Sequence, residues 1–232
     1  ESLESRVSDG WPCWSISNHD VERVVSRWGG YKSKDFAKML FAMISSLRGS
    51  VCSYQGEELG LTEADIAFED IQDPYGITFW PQFKGRDGCR TPHPWKHDSI
   101  NAGFSEGKPW LPMSEDHVTK AVDLQDEPID SVLNSYRHFN QWRKQQAELL
   151  YGDISFLSTP EPILAFTRKY QGEQLLVCFN FSEQQHTVSL SSMLSDSRDI
   201  EKNVLTDHKL ISGNIMGDEL QLPAFGCFYS KL

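Results

Sequence analysis

The stretch Cys13-Trp14-Ser15-Ile16-Ser17-Asn18-His19-Asp20-Val21-Glu22-Arg23 decides how the rest of this chain is read. Its opening run of β-formers empties into a polar loop that sets an amide, an imidazole, a carboxylate and a guanidinium side by side. Downstream, Phe36, Leu40, Met43, Ile44 and Leu47 recur at three- and four-residue steps, with Ser33 placed to cap the segment and Gly49 to end it. That spacing predicts an amphipathic helix. Ser50-Val51-Cys52-Ser53-Tyr54 then repeats the opening pattern, a buried strand closing into Gln55-Gly56-Glu57-Glu58. Strand, loop, helix, strand, loop is the grammar of a βαβ layer.

Composition limits what such a layer can serve. The chain has 232 residues, 39% of them hydrophobic, and 33 acidic against 22 basic side chains give a formal charge of -11. A chain of this length makes one or two domains and buries a sizeable core. Its negative charge repels phosphate backbones and anionic lipid, and no Lys/Arg run exceeds two residues, so nucleic acid and membrane surfaces are not expected partners. The longest apolar runs, 39–44 and 175–179, fall far short of the roughly 18 residues of a spanning helix. Residues 1–6 carry neither an initiating Met nor an apolar signal region, which reads as a processed or excised start. Five scattered cysteines without a CxxC pair suit a reducing, cytoplasmic setting better than a disulfide framework or a zinc site.

Residues 62–129 hold most of the prolines, many glycines and aromatics, and little periodicity; ordered stretches of this kind are usually functional. Asp130 or Ser131 can cap a helix over 131–150, with Val132, Tyr136, Phe139 and Trp142 inward and Gly152 as its stop. Beyond it, strand-like runs at 163–170, 174–181, 187–190, 204–205, 220–222 and 227–229 predict an all-β module.

The sharpest chemical signal is Asn18-His19-Asp20-Val21-Glu22-Arg23, because ligands of parallel α/β folds bind at the carboxyl ends of the strands. A neighbouring His and Asp can hydrogen-bond vicinal sugar hydroxyls, and Arg23 can keep Asp20 ionised. The same spacing suits a helix-capping Asp beside a satisfied His. In Gly85-Arg86-Asp87-Gly88-Cys89-Arg90-Thr91-Pro92, two arginines flank one carboxylate, a geometry for clamping hydroxyls or for a structural ion pair. Trp80, Trp95, Phe104 and Trp110 could stack on sugar faces or merely pin loops. His93, His97 and Asp98 are metal-type ligands, but Pro94 breaks their spacing, and no metal is assigned. Asn180-Phe181-Ser182 matches a glycosylation sequon inside a predicted strand and is discounted. GxSxG, GxxxxGK[ST], GxGxxG and HExxH are all absent, which leaves carboxylate and hydroxyl chemistry.

Taken in order, Ser17-Asn18-His19-Asp20-x-x-Arg23, Tyr54-Gln55-Gly56-Glu57-Glu58-Leu59-Gly60, Gly85-Arg86-Asp87-Gly88-Cys89-Arg90-Thr91-Pro92 and Asn101-Ala102-Gly103-Phe104 resemble the oligosaccharide-degrading branch of glycoside hydrolase family 13. Residues 68–77, followed by Phe79-Trp80-Pro81, look like its proteobacterial exo-α-glucosidases. The resemblance implies the C-terminal part of a (β/α)8 TIM barrel over 1–152, with strands 7 and 8, a long pocket-rim loop and helix 8. An antiparallel β-sandwich domain over 153–232 would follow. It implies that Asp20 holds the 2- and 3-hydroxyls and stabilises the transition state, with His19 beside it and Arg86 closing the pocket floor. Arg23, Glu57, Asp87 and Arg90 then support the site. His93 is a departure, since related sequences more often carry Met there.

Retaining hydrolysis in this family uses an Asp nucleophile and a Glu acid/base roughly 5 to 5.5 Å apart, both expected before residue 1. The reading is therefore the C-terminal portion of a retaining α-glucosidase acting on α-linked gluco-oligosaccharides, needing the N-terminal remainder of the barrel and no cofactor, and inactive alone. The alternative is a non-catalytic carbohydrate- or partner-binding fragment. Transglycosylation or phosphorolysis on the same barrel stands third.

Overall fold

The computed structural model describes residues 10–29, 33–194 and 200–232, so the expectation for residues 1–6 lies outside the described residues. The chain divides into two compact units, one taking residues up to Trp14, Lys38–Val51 and Arg137–Leu232, the other Ser15–Ala37 and Cys52–Tyr136.

All the described strands belong to the first unit. β1 (Cys13–Trp14) and β2 (Ser50–Val51) pair in parallel, Cys13 opposite Ser50 and Trp14 opposite Val51. Both are shorter than their β-forming runs suggest. The intervening helix, Lys34–Ser46, starts where expected: the Ser33 hydroxyl accepts the Phe36 amide at 3.2 Å. It ends before Gly49, where φ is +134° and a Cβ would meet the Pro12 carbonyl oxygen at 2.5 Å. Only glycine lets β2 approach β1 there.

The helix expected over 131–150 is two helices, Val132–Arg143 and Ala147–Tyr151, separated where Gln146 turns extended at φ -103° and ψ 96°. No glycine or proline marks this break, so the periodicity carries no sign of it. The inward positions hold: Val132, Tyr136, Phe139 and Trp142 are all buried.

The C-terminal part is an antiparallel β-sandwich. One sheet has the order β3-β4-β5-β9, from Asp153–Leu157, Ile163–Tyr170, Glu173–Asn180 and Cys227–Lys231. The other has the order β6-β8-β7, from His186–Ser189, Glu219–Leu222 and Asn214–Met216. β3 and β7 have no counterpart among the β-forming runs, since β3 has only a half-buried face and β7 is three residues long. Val204 makes a single bridge to Ser230 in place of the strand expected at 204–205.

The apolar run 175–179 follows from coverage on both faces of β5. Leu176 and Cys178 join Ala165 and Phe228 against Val188, Leu220 and Leu222 of the second sheet. With strand period two, Phe179 points the other way, into Tyr229, which meets Phe139 at 6.0 Å and Trp142 at 4.9 Å between ring centroids. On that side Arg168 of β4 is fully buried and donates to the carbonyls of Ser46 at 2.6 Å and Gly152 at 2.8 Å. All five cysteines are free, Cys13 and Cys52 exposed, Cys89, Cys178 and Cys227 buried.

Asn180 is not a surface acceptor. Its buried amide nitrogen donates to the carbonyls of Gln184 at 2.7 Å, Pro223 at 2.8 Å and Leu222 at 3.1 Å, tying β5 to the end of β8. Replacing Asn180→Ala strands these carbonyls in the interior and is expected to cost about 2–4 kcal/mol, read from chemical denaturation. A change below half a kcal/mol would contradict this account.

Candidate functional site

The site lies in the second unit and begins with the loop after β1. The Asn18 side-chain oxygen accepts the Asp20 amide at 2.8 Å, folding the loop into an Asx turn. Ser17 is buried and its hydroxyl accepts the Val24 amide at 3.1 Å, at the start of the short helix Val24–Arg27. His19 and Asp20 stay accessible, with side-chain exposures of 70% and 50% and a 3.4 Å approach from His19 Nε2 to Asp20 Oδ2.

Spacing places Arg23 beside Asp20, but its guanidinium goes elsewhere. Arg23 is buried, its Nη1 and Nη2 donating to the carbonyls of Gln55 and Cys89, both at 2.9 Å. Burial lowers its pKa, against the pull of Tyr54, Cys89 and Glu63. The cations on Asp20 come from across the loop. Arg86 Nη1 donates to Asp20 Oδ1 at 2.9 Å and Arg90 Nη2 to the same oxygen at 3.2 Å, while Arg90 Nε donates to the His19 carbonyl at 2.7 Å.

Two buried carboxylates set those arginines. Asp87 Oδ2 accepts the amides of Gln72 at 2.7 Å and Asp73 at 2.8 Å, fixing the turn before the helix Pro74–Phe79. The Asp73 side chain, fully shielded from solvent, accepts Arg86 Nε at 2.8 Å, Nη2 at 3.1 Å and the Arg86 amide at 2.9 Å. This two-point grip orients the remaining Nη1 toward Asp20. The hydrogen bond from Arg86 holds the Asp73 carboxyl down at about 2 despite its burial, and Asp73 in turn raises the Arg86 guanidinium. No sequence signal pointed to Asp73. It sits before a proline, a capping position, and accepts the Tyr75 amide at 3.2 Å.

Asp20, Glu63, Phe83, Lys84 and Arg86 line a cleft of about 360 Å³. Glu57 is held by different partners: it is buried, accepts the Ser53 hydroxyl at 2.9 Å, and has its pKa raised by burial. Glu58 accepts the Gly56 amide at 2.7 Å and pairs with His93 Nε2 at 2.7 Å. Burial pushes the Glu58 carboxyl up, but the bond from His93 and the backbone amides outweigh it and lower it. His93 lies against half-exposed Trp95, the rings tilted and 4.6 Å apart between centroids. Trp80 leans on Phe68 at 5.5 Å, whereas Phe104 and Trp110 are exposed.

The metal-type residues regroup. His93 leaves the set, and Asp123 joins His97 and Asp98, their ligand atoms within 4.8 Å of one another. His97 Nδ1 already pairs with Asp123 Oδ2 at 2.9 Å, and that bond raises the His97 pKa. An exposed ion pair accounts for the geometry.

Against known proteins, residues 2–152 match the alpha-amylase catalytic domain, and residues 163–227 the alpha-amylase SusG C-terminal domain. The chain is 45% identical to a probable alpha-glucosidase of Rhizobium meliloti (strain 1021), over 97% of this chain and 39% of that protein. With an oligo-1,6-glucosidase of Parageobacillus thermoglucosidasius it shares 35% identity over 75% of this chain and 35% of the relative. The crystal structure of the alpha-glucosyl transfer enzyme XgtA superposes with a TM-score of 0.92 at 46% identity, covering 99% of this chain and 42% of that one. The chain thus spans about two fifths of the length of the Rhizobium relative.

Asp73→Asn puts an amide where Arg86 needs two acceptors. The variant should be less stable at neutral pH, by an amount that solvent around the 30%-exposed Arg86 keeps modest. Because the Asp73 carboxyl is depressed from 3.8 to about 2, its stabilisation is full above about pH 4 and fades as pH falls toward 2. Wild-type and Asp73→Asn unfolding free energies should differ at neutral pH and converge in acid; a constant gap would contradict the pairing.

Proposed function

The chain belongs to the alpha-amylase family, and on that premise we propose that it is the C-terminal portion of a retaining α-glucosidase acting on the terminal non-reducing α-linked glucose of short oligosaccharides. The convergence of Arg86 and Arg90 on Asp20 Oδ1, at 2.9 and 3.2 Å, carries the reading. Two cations thus engage Oδ1, and the second oxygen, 3.4 Å from His19 Nε2, is offered with that imidazole to vicinal sugar hydroxyls. A fixed carboxylate there favours the positive charge that grows on the sugar as the glycosidic bond stretches. His19 serves as a further donor. Arg86 closes the pocket floor, and Arg23, Glu57, Asp87 and Arg90 hold the loops.

In this reading residues 1–152 are the closing segment of the catalytic barrel and 153–232 the C-terminal β-sandwich domain. The nucleophile and acid/base come from the N-terminal remainder, which this chain needs as a partner. Five free thiols support a cytoplasmic location, and among the described residues no helix is long and apolar enough to cross a membrane.

A second reading, transfer of the glucosyl unit to an acceptor hydroxyl in place of water, is favoured by the likeness to the transfer enzyme XgtA.

Hydrolysis of an aryl α-glucoside tests the proposal. The 232-residue chain alone should give no turnover, and the protein carrying the N-terminal portion should be active. In that longer protein Asp20→Asn should lower kcat/KM by on the order of a hundredfold or more. Turnover by the chain alone, or an unaffected Asp20→Asn variant, overturns the assignment. Free glucose falling short of released aryl alcohol would decide for transfer.

A further inference from the structure

Arg86 and Arg90 hold the Asp20 side chain, and a carboxyl from another segment holds the backbone three residues on, at Arg23. Arg23 is the cap residue of the helix Val24–Arg27 and makes no side-chain cap of its own. Its amide donates instead to Glu63 Oε2 at 2.9 Å, and the Glu63 amide donates back to the Ser26 hydroxyl at 2.8 Å. Glu63 thus supplies one half of a capping box, the carboxyl that accepts the cap amide, from forty residues away in sequence, while the Ser26 side chain holds the Glu63 amide. The carboxyl is wedged in place. A Cβ on Gly88 would lie 2.3 Å from Glu63 Oε1, and the Ala64 amide donates to the Gly88 carbonyl at 3.2 Å. Glu63 therefore bridges the loop carrying His19 and Asp20 and the loop carrying Arg86 and Arg90.

We propose that Glu63 is a positioning residue for Asp20, its carboxyl fastening the backbone of the loop that presents the His19–Asp20 pair. The inference rests on the reading of Asp20 as the sugar-gripping carboxylate.

The chemistry gives the contact a proton dependence. Burial raises the Glu63 carboxyl to about 7, against the Arg23 amide and guanidinium, with Glu22 adding to the rise. The Cys89 thiol and Tyr54 hydroxyl also feel its charge, and Asp20, Asp65, Lys84 and Arg86 share its cleft. An ionised carboxyl is the stronger acceptor, so the grip on the Arg23 amide tightens as pH rises through 7. Global stability runs the other way. A carboxyl raised in the folded state makes the native protein bind more protons, so stability falls as pH climbs from about 4.5 to about 7.

Backbone amide spectra and hydrogen exchange of this chain across neutral pH test the proposal, with Leu176 in β5 as a control for folding. In the wild type the Arg23 amide should titrate with a midpoint near 7. Glu63→Gln keeps the acceptor and should preserve protection at Arg23 while abolishing the titration. Glu63→Ala should raise exchange at Arg23, Val24 and Asp20 about tenfold, with Leu176 unchanged. Unchanged exchange at Arg23 in Glu63→Ala overturns the proposal, as does loosening of Arg23 without loosening of Asp20. No sugar enters these measurements, so their failure is separate from that of the Asp20 reading, which the turnover of Asp20→Asn decides.

Discussion

The Asp73 carboxylate is shut off from the surface, and the candidate site is arranged by how that charge is met. An ionised group in the interior must be paired and hydrogen-bonded nearly in full, and Arg86 supplies both needs through three donors. Once those donors are committed, a single guanidinium nitrogen is left to reach Asp20. Asp87 prepares the arrangement by collecting the amides of Gln72 and Asp73, so the loop carrying Arg86 and the turn that receives it are set together. Asp20 therefore presents itself to solvent from a rigid foundation, although half of its own side chain is exposed.

Much of this frame is legible in the sequence because periodicity and chain breakers carry it. Ser33, the apolar stripe through Leu47, and Gly49 announce a helix between two strands, and the structure has them in that order. Strands β4, β5, β6, β8 and β9 fall within a few residues of their β-forming runs. The break at Gln146 is invisible, since nothing in Lys144-Gln145-Gln146 disfavours helix by composition. The site is half legible. His19, Asp20, Arg86 and Arg90 stand out as chemistry-bearing residues in loops, and the structure gathers them. Asp73 and Glu63 escape notice because their work is done through backbone amides and partners far along the chain, which spacing cannot display. Arg23 misleads for the same reason: closeness in sequence says nothing about the carbonyls of Gln55 and Cys89 that claim it.

Glycines complete the foundation at two points where backbone must touch backbone. At Gly49 the parallel pair closes, and at Gly88 the Glu63 carboxyl slides in against the chain. Neither position tolerates a methyl group without moving what surrounds it. Position, more than flexibility, is what these residues provide.

The burial of Arg168 bears on how such a protein diversifies. Its guanidinium sits in the C-terminal sheet yet completes the hydrogen bonding of the carbonyls of Ser46 and Gly152, which belong to the preceding helical layer. The sandwich is thus wired into the layer it follows and is no detachable appendage. A module exchanged into that place would have to bring its own donors to the carbonyls of Ser46 and Gly152.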